Sequence, residues 1–186
     1  GLQTALRKRL FVKYAVRIVM KPAAPLVQNI SADDDPMIGP ANAPVTVVMF
    51  ADFQCSACGA VTPILKKAVR EFGDKARIVV RDYPLENVHE NALQAAIAAN
   101  AARLQGKFFE YSDVLYKNQE SLDSLSLRKY AETLGLNLSQ FDRDPKDVKI
   151  MDEIRRDIAD GDRYGIEGTP TIFVNGKKLH RLSAEK

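Results

Sequence analysis

Residues 45–59 read VTVVMFADFQCSACG, and this stretch decides the fold. Residues 45–50 form a nearly continuous apolar run of strand length, which predicts a buried central β-strand. After the cysteines the apolar side chains recur with helical spacing, at Val61, Ile64, Leu65, Ala68, Val69 and Phe72. Gly73 then marks the end of that helix. Cys55 is therefore predicted at the junction between a strand and the amino terminus of a helix.

The chain contains two cysteines, Cys55 and Cys58, in 186 residues. A thiol attacks as its thiolate, and a free cysteine with a pKa of about 8.5 is mostly protonated at neutral pH. A helix amino terminus presents unpaired N–H groups and about half a positive charge, which favours the thiolate. Cys58 faces the same side three residues later, where it can pair with Cys55 or resolve a mixed disulfide. We predict attack by Cys55 and resolution by a more buried, less acidic Cys58.

Three other interpretations of the cysteine pair are open. A structural zinc site usually needs four ligands, and the two histidines, His89 and His180, lack paired metal spacing. A structural disulfide between residues this close would constrain the unfolded chain little. The third alternative is a pair of inert core thiols. We favour redox chemistry over all three, and we expect no metal and no organic cofactor.

The composition is that of an ordinary globular domain, with 46% hydrophobic and 27% charged residues. No apolar run of about 18 residues is present, so no membrane span is predicted. Residues 1–28 hold six basic groups and no acid, which leaves the remainder mildly acidic. We expect this basic leader to be a solvated face, with contact to a membrane or a partner as the weaker alternative. Nucleic-acid binding is disfavoured because the body has no stripe of basic and aromatic residues.

The remaining patterns predict an order of elements. Residues 11–20 and 26–30 read as one strand or a strand pair, although basic residues four apart between 9 and 21 favour a helix instead. Helical patterns fill residues 91–160, at 91–103, at 107–116, from Ser126 and at 147–159. Further strands are predicted at 76–80, 171–174 and 178–182, the last two joined by a hairpin turn at Asn175-Gly176.

These elements divide the chain into two regions. Residues 1–35 are predicted to be a basic extension with one or two strands, and residues 36–186 to be the main domain, with a helical insertion at about 90–160. The chain begins with Gly1 rather than Met, which suggests processing, and residues 182–186 read like the start of a final helix.

Several motifs in the main domain occur in a characteristic order. They are GPANAPV at 39–45, DFQCSAC at 52–58, Pro63, HENA at 89–92, QGKFF at 105–109 and GTPTIFVNG at 168–176. Together they resemble the DsbA-like thiol-disulfide oxidoreductases of the thioredoxin fold, over roughly residues 36–182. The resemblance implies an α/β fold with the helical insertion placed between a strand-helix-strand half and a C-terminal β-hairpin. The predicted N-terminal strand or strand pair would precede it.

The resemblance also implies roles for individual residues. Thr169-Pro170 resembles the family's cis-proline loop, which would lie beside the sulfurs and pair with an extended substrate; a trans proline at a strand start is the alternative. Phe53 and Gln54 are expected to join Thr169 and Pro170 in substrate binding. His89 is expected to be a structural residue at a helix start. Pro63 should kink the active-site helix.

Two departures from the family pattern change the expected chemistry. Met49 occupies the position, six residues before Cys55, at which many relatives carry a buried acid. Asp52 should face the opposite side of the strand, so we expect Cys58 to lose its proton to water or another polar neighbour.

The second departure is the dipeptide Ser56-Ala57, which tunes the thiolate and replaces the histidine of strong oxidants and the Gly-Pro of thioredoxin. We therefore expect the pKa of Cys55 to be lowered less than in the strongest oxidants, with an intermediate reduction potential.

The function implied is thiol-disulfide exchange on cysteine-containing proteins or peptides. Turnover would need a redox partner, which in related systems is a membrane protein, and the expected compartment is extracytoplasmic, as in the periplasm. Two alternatives are a reductase or isomerase that uses the same residues, and a non-catalytic peptide-binding module.

Overall fold

The computed structural model describes residues 2–14, 26–32, 34–144 and 148–179. The helices are α1 (Leu2–Lys13), α2 (Ser56–Phe72), α3 (Ala92–Arg103), α4 (Phe108–Lys117), α5 (Ser124–Thr133), α6 (Leu138–Phe141) and α7 (Val148–Arg163). The strands are β1 (Met37–Ile38), β2 (Val45–Ala51), β3 (Ala76–Asp82), β4 (Thr171–Val174) and β5 (Lys177–Lys178).

The strands form one mixed sheet in the order β1-β3-β2-β4-β5. β2 lies at its centre, parallel to β3 and antiparallel to β4, which confirms the buried central strand predicted from residues 45–50. α2 is the crossover between β2 and β3, and it buries Val61, Leu65 and Val69 against the sheet. Ile64 and Phe72, predicted on the same apolar face, are each 63% exposed, so the buried face of α2 is narrower than its sequence indicates.

The helical insertion lies between β3 and β4, as predicted. Its central helix, α3, is rich in alanine and largely buried, and small side chains allow α4, α5 and α7 to approach it closely. α5 begins at Ser124 rather than at Ser126 because the side chain of Asp123 accepts the backbone N–H groups of Leu125 and Ser126. The four-residue α6 was not predicted.

The hairpin turn is confirmed at Asn175-Gly176, where both residues have positive φ, 46° and 76°. Gly176 also needs its missing side chain, since a Cβ there would lie 2.0 Å from the carbonyl oxygen of Gln28. The Gln28 N–H donates to the Gly176 carbonyl at 2.9 Å, so the segment at 26–30 crosses the hairpin.

The expected N-terminal strands need correction. Residues 11–13 belong to α1, so a strand starting at Phe11 is wrong there, and residues 15–20 lie outside the described residues. The segment at 26–30 forms a single bridge, from Val27 to Lys177, rather than a full strand. The strand that does precede β2 is β1, which pairs antiparallel with β3. Helical propensity of the basic leader overrides its β-branched composition in residues 11–13.

Buried charges fasten α7 to the end of β3. Arg81 is 1% exposed, and its guanidinium pairs with Asp35 at 3.0 Å, with Asp157 at 2.7 Å and with Asp160 at 2.9 Å. The next residue, Asp82, is also buried and accepts a hydrogen bond from Asn100 Nδ2 at 2.6 Å. Burial and then the charge of Asp157 raise the pKa of Asp82 to about 8. Burial also raises the pKa of Asp157 to about 6, against the attraction of Arg81.

Stability should therefore fall as the pH rises toward 8. In the unfolded chain Asp82 ionises near its ordinary pKa of 3.8, whereas the folded protein holds the proton up to about 8. Asp82 therefore contributes fully to the free energy of unfolding below its unfolded pKa of 3.8, and this contribution is lost as the pH rises from there to about 8. We expect Asp82→Asn to flatten the loss between about pH 6.5 and 8, measured by denaturant unfolding of the oxidised protein so that neither cysteine titrates.

Asp142→Asn serves as the matched control, because Asp142 belongs to an exposed pair with Arg128. An Asp82→Asn protein that retains the full slope would contradict the assignment.

Candidate active site

Cys55 is the residue that precedes α2, with an extended backbone at φ −75° and ψ 116°. Its thiol donates to the carbonyl oxygen of Thr169 at 3.3 Å, and the residue is 8% exposed, next to exposed Ser56 and Ala57. Cys58 is fully buried one helical turn later, and both cysteines are free thiols. One sulfur can therefore meet a substrate, while the other lies behind it.

The pKa values of the two thiols are shifted in opposite directions. A hydrogen bond from Cys58 lowers the pKa of Cys55 to about 5, against the effect of burial, with support from Thr169 and the backbone N–H groups of Cys58 and Ala57. The same hydrogen bond to Cys55, together with burial, raises the pKa of Cys58 far above its usual range. The predicted division between an acidic Cys55 and a less acidic, more buried Cys58 is confirmed.

The groups that lower the pKa of Cys55 in the structure are not the side chains expected from the sequence. Ser56 and Ala57 were expected to tune it, and both side chains are exposed. Ala57 acts through its backbone N–H group, and the largest effect comes from Cys58.

The Thr169-Pro170 peptide bond is cis, which confirms the predicted loop. Thr169 and Pro170 are both partly exposed beside Cys55, immediately before β4. The loop and the start of α2 thus meet at the carboxyl end of β2, the end of the sheet at which this parallel unit places its crossover.

Asp52 organises the turn between β2 and α2. Its carboxylate is buried and accepts three hydrogen bonds, from the Gln54 N–H at 2.7 Å, the Leu85 N–H at 2.9 Å and His89 Nδ1 at 2.8 Å. A backbone hydrogen bond from Asp52 to Cys58 acts to lower the pKa of Cys58. The Asp52 carboxylate is engaged with the loop after β3, which supports the expectation that it is a poor direct replacement for an acid at Met49.

Phe53 and Gln54, the two residues after Asp52, hold the site in place and do not line its surface. Phe53 is 2% exposed and packs against Phe108 and Tyr116, so the predicted substrate contact through its side chain is wrong. The apolar ring is more stable in the core than in a groove. Gln54 Oε1 accepts the backbone N–H of Asn91 at 2.9 Å, which ties the turn to the start of α3. His89 Nδ1 contacts the Asp52 carboxylate at 2.8 Å, and the structural role expected for His89 stays a prediction.

Gln119 is a site residue that sequence reasoning missed. It follows α4, and its amide donates to the carbonyl oxygens of Phe53 at 2.8 Å and Cys55 at 2.9 Å. Its Oε1 would lie 3.0 Å from a Cβ at Gly59, so the amide fills the space beside that glycine. No local motif marks Gln119, because its partners lie more than 60 residues earlier in the chain.

The pKa of Cys55 should depend on a hydrogen-bond donor at position 58. Cys58→Ala removes the largest stabilising contact, and a hydrogen bond to a charged group contributes about 1.5–3 kcal/mol, or about 1–2 pKa units. We therefore expect the Cys55 pKa to rise by that amount above about 5, measured from the ultraviolet absorbance of the thiolate against pH. Cys58→Ser, which retains a donor, should shift it less. Equal shifts in the two variants would contradict this cause.

Gln119→Leu should loosen the turn that holds Cys55. Two carbonyl oxygens lose a partner at a cost of about 1 kcal/mol each, so the melting temperature should fall and the pKa of Cys55 should rise. Gln105→Leu is the control, since Gln105 makes a similar pair of bonds to Asn137 on an exposed loop. If Gln119→Leu lowers stability no more than Gln105→Leu and leaves the Cys55 titration unchanged, Gln119 does not position the sulfur.

Comparison with known proteins agrees with this geometry. A family model described as thioredoxin matches residues 31–186. The thioredoxin-like oxidoreductase of Silicibacter pomeroyi is 28% identical, with a TM-score of 0.71 over 78% of this chain and 82% of that one. The thiol-disulfide exchange protein alpha-DsbA2 of Wolbachia pipientis shares the fold at 20% identity, with a TM-score of 0.74 over 96% of this chain and 90% of that one.

A curated relative is far longer than the region it shares with this chain. The Na(+)/H(+) antiporter NhaA 1 of Mycolicibacterium gilvum is 37% identical over 158 residues, which are 84% of this chain and 25% of the antiporter. The chain thus spans about a quarter of that relative. Within the described ranges, no helix combines the length and apolarity needed to cross a bilayer. The family match covers most of the chain, which therefore belongs to the thioredoxin family and shares its fold with thiol-disulfide exchange proteins.

Proposed function

We propose that this protein is a dithiol oxidase that donates the Cys55–Cys58 disulfide to cysteine-containing proteins or peptides outside the cytoplasm. The observation that carries the proposal is the pair itself: an acidic Cys55 at the amino end of α2, beside Thr169, with a fully buried Cys58 behind it.

The burial of the two sulfurs sets the order of the steps. A substrate thiolate attacks Cys55, since Cys58 is not exposed, and the Cys55–Cys58 bond breaks as the mixed disulfide forms. Cys58 takes the electron pair and a proton. A second substrate thiolate then attacks the substrate sulfur, and Cys55 leaves as a thiolate. The substrate is oxidised by two electrons and the cysteine pair is reduced.

The low pKa of Cys55 favours the oxidising direction. A stabilised thiolate lowers the free energy of the reduced protein, which makes its disulfide a stronger oxidant. It also makes Cys55 a good leaving group in the last step. In the reducing direction the same residues would act in reverse, with Cys55 attacking and Cys58 resolving, so direction depends on the potential and on the redox partner.

The Thr169-Pro170 loop is the proposed site for the substrate chain. The loop is partly exposed next to the reactive sulfur, and an extended peptide could pair with the Thr169 backbone as an added strand does. Phe53, Gln54 and Gln119 support this surface from behind. The proposal involves neither nucleic-acid recognition nor a metal ion.

An oxidising compartment suits a chain with no cysteine beyond this pair, since no other thiol can mispair. Reoxidation would require a partner that accepts two electrons, and in this proposal that partner is a membrane-bound redox protein. The antiporter relative carries a related region within a membrane transporter, which supports action at a membrane surface.

The reduction potential tests the direction. Equilibration with glutathione should give a value between those of the strongest oxidants and thioredoxin, about −120 and about −270 mV. A value near the thioredoxin end would contradict the oxidase proposal and favour a reductase. A value at the other end would contradict the intermediate tuning expected from Ser56-Ala57.

Two further assays separate the alternatives. A non-catalytic binding module would retain peptide affinity in Cys55→Ala and show no turnover in the native chain, whereas an oxidase loses turnover in the variant. An isomerase in its reduced form would convert a substrate with scrambled disulfides into the native form, which a reduced oxidase does only weakly.

A further inference from the structure

The loop at residues 167–170 places Thr169 beside the reactive sulfur, and both ends of this loop are fixed. The Cys55 thiol donates to the Thr169 carbonyl oxygen at 3.3 Å. After the loop, Thr171 begins β4 and pairs with β2. Before the loop, Ile166 is buried in the core on one face of the sheet. The position of Ile166 therefore helps to decide where Thr169 lies.

α7 ends in a glycine turn that leads the chain to Ile166. The Gly165 N–H donates to the carbonyl oxygen of Asp162 at 3.1 Å, and the Ile166 N–H donates to that of Gly161 at 3.0 Å. Gly165 has a positive φ of 70°. This pair of bonds is the usual glycine-ended helix terminus, and it satisfies carbonyl groups of the last turn. The carbonyl oxygen of Ile166 itself is not part of the pattern.

Tyr83 supplies a partner for that carbonyl oxygen. It is the first residue after β3, and its backbone N–H donates to the carbonyl oxygen of Ala51, the last residue of β2, at 2.8 Å. Its hydroxyl lies 3.3 Å from the Ile166 carbonyl oxygen and 2.7 Å from an oxygen of the Asp162 carboxylate. The single hydroxyl proton is shared between these two acceptors. One residue thus ties the end of β2 to the start of the loop.

The Tyr83 ring is held in place by close packing. It meets the Phe50 ring edge to face, with 6.4 Å between the centroids. At α7, a Cβ on Gly161 would lie 2.6 Å from Cε2 of the Tyr83 ring, so any side chain there would collide with it. The same Cβ would lie 3.3 Å from Cδ1 of Ile166. The hydroxyl is therefore positioned by a packed aromatic ring.

Asp162 keeps this hydroxyl a donor. The residue is exposed in the last turn of α7, where the partial negative charge of the helix end disfavours an acid. Within the described ranges, the side-chain hydrogen bond of its carboxylate is the one from Tyr83. Burial, followed by the hydrogen bond and the charge of Asp162, raises the pKa of Tyr83 to about 12. The hydroxyl therefore keeps its proton at neutral pH.

We propose that Tyr83 is a positioning residue for the exchange reaction, because its hydroxyl holds Ile166 and thereby the loop at 167–170. In this position an extended substrate chain can pair with the Thr169 backbone while its sulfur meets Cys55. The inference rests on the proposed function, since it concerns the substrate surface named there. Tyr83 takes no part in bond breaking or proton transfer.

Hydrogen exchange of the amides at residues 165–169 tests the contact directly. Tyr83→Phe removes the hydroxyl and retains both the ring and the backbone bond to Ala51. These amides should exchange about three- to tenfold faster, the effect of one lost hydrogen bond. Tyr130→Phe is the matched control, since it removes a hydroxyl bonded to the Ser121 carbonyl oxygen at 3.0 Å in the insertion. It should leave residues 165–169 unchanged.

Reaction of the oxidised protein with two dithiols separates substrate positioning from the chemistry of the sulfurs. One is a peptide with two cysteines, and the other is dithiothreitol, which has no peptide backbone to pair. Tyr83→Phe should raise the half-saturating concentration of the peptide about three- to tenfold. The maximum rate with the peptide and the rate with dithiothreitol should stay unchanged. A merely structural role would not change the peptide reaction selectively.

Gly161→Ala tests the same contact by another route. The added Cβ displaces the Tyr83 ring and draws the hydroxyl away from Ile166, although the hydroxyl itself is retained. This variant should behave as Tyr83→Phe does in both assays. If Tyr83→Phe does not fold, Gly161→Ala takes its place.

The outcomes keep the two levels of the proposal apart. An oxidised native protein that reacts with neither dithiol would contradict the proposed function, and hydrogen exchange would still test the contact. Unchanged exchange in Tyr83→Phe would overturn the contact. Faster exchange with an unchanged half-saturating concentration would overturn the positioning role. An equal loss of rate with the peptide and with dithiothreitol would also overturn it, because the sulfurs themselves would then be disturbed.

Discussion

The active site depends on one buried carboxylate, that of Asp52. Three hydrogen bonds from two separate loops converge on it, and they fix the turn from β2 into α2 against the loop after β3. Without this anchor the first N–H groups of α2 would not face the Cys55 sulfur in a constant geometry, and their electrostatic effect on the thiolate would be averaged away. Gln119 completes the arrangement from the insertion, by holding the carbonyl oxygens of Phe53 and Cys55. The helical insertion is thus part of the catalytic scaffold as well as a cover for the sheet.

Buried ionisable groups serve two different purposes in this protein. At the end of β3, burial places Arg81 among acidic partners and holds protons on carboxyl groups, which joins α7 to the sheet at the cost of a pH-dependent stability. At α2, the hydrogen bond between the two thiols, together with the deeper burial of Cys58, gives Cys55 a lowered pKa and Cys58 a raised one. With a single thiol, resolution of a mixed disulfide would always depend on an external thiol, whereas Cys58 supplies one within the protein.

Local patterns predicted the parts of the fold that depend on neighbouring residues. The apolar run at 45–50, the switch to helical spacing after Cys55 and the Asn175-Gly176 turn each act within a few residues, and the structure confirms them. The cysteine pair and the Thr169-Pro170 loop were likewise visible. Phe53, Gln119 and two of the three contacts of Asp52 were not, because they depend on partners more than 30 residues distant. The prediction of strands in the basic leader was wrong for another reason. The composition of the leader fits both strand and helix, and nothing in its pattern decides between them.

The outermost strands of the sheet, β1 and β5, are two residues long in the described part of the chain, and β5 consists of Lys177 and Lys178. Exposed strand edges are templates on which other chains can add by backbone pairing, and short, lysine-bearing edges resist such addition. The substrates proposed for this protein include extended chains of this kind. The short edges, of which β5 also carries the bridge from Val27 to Lys177, therefore offer such chains few backbone groups to pair with.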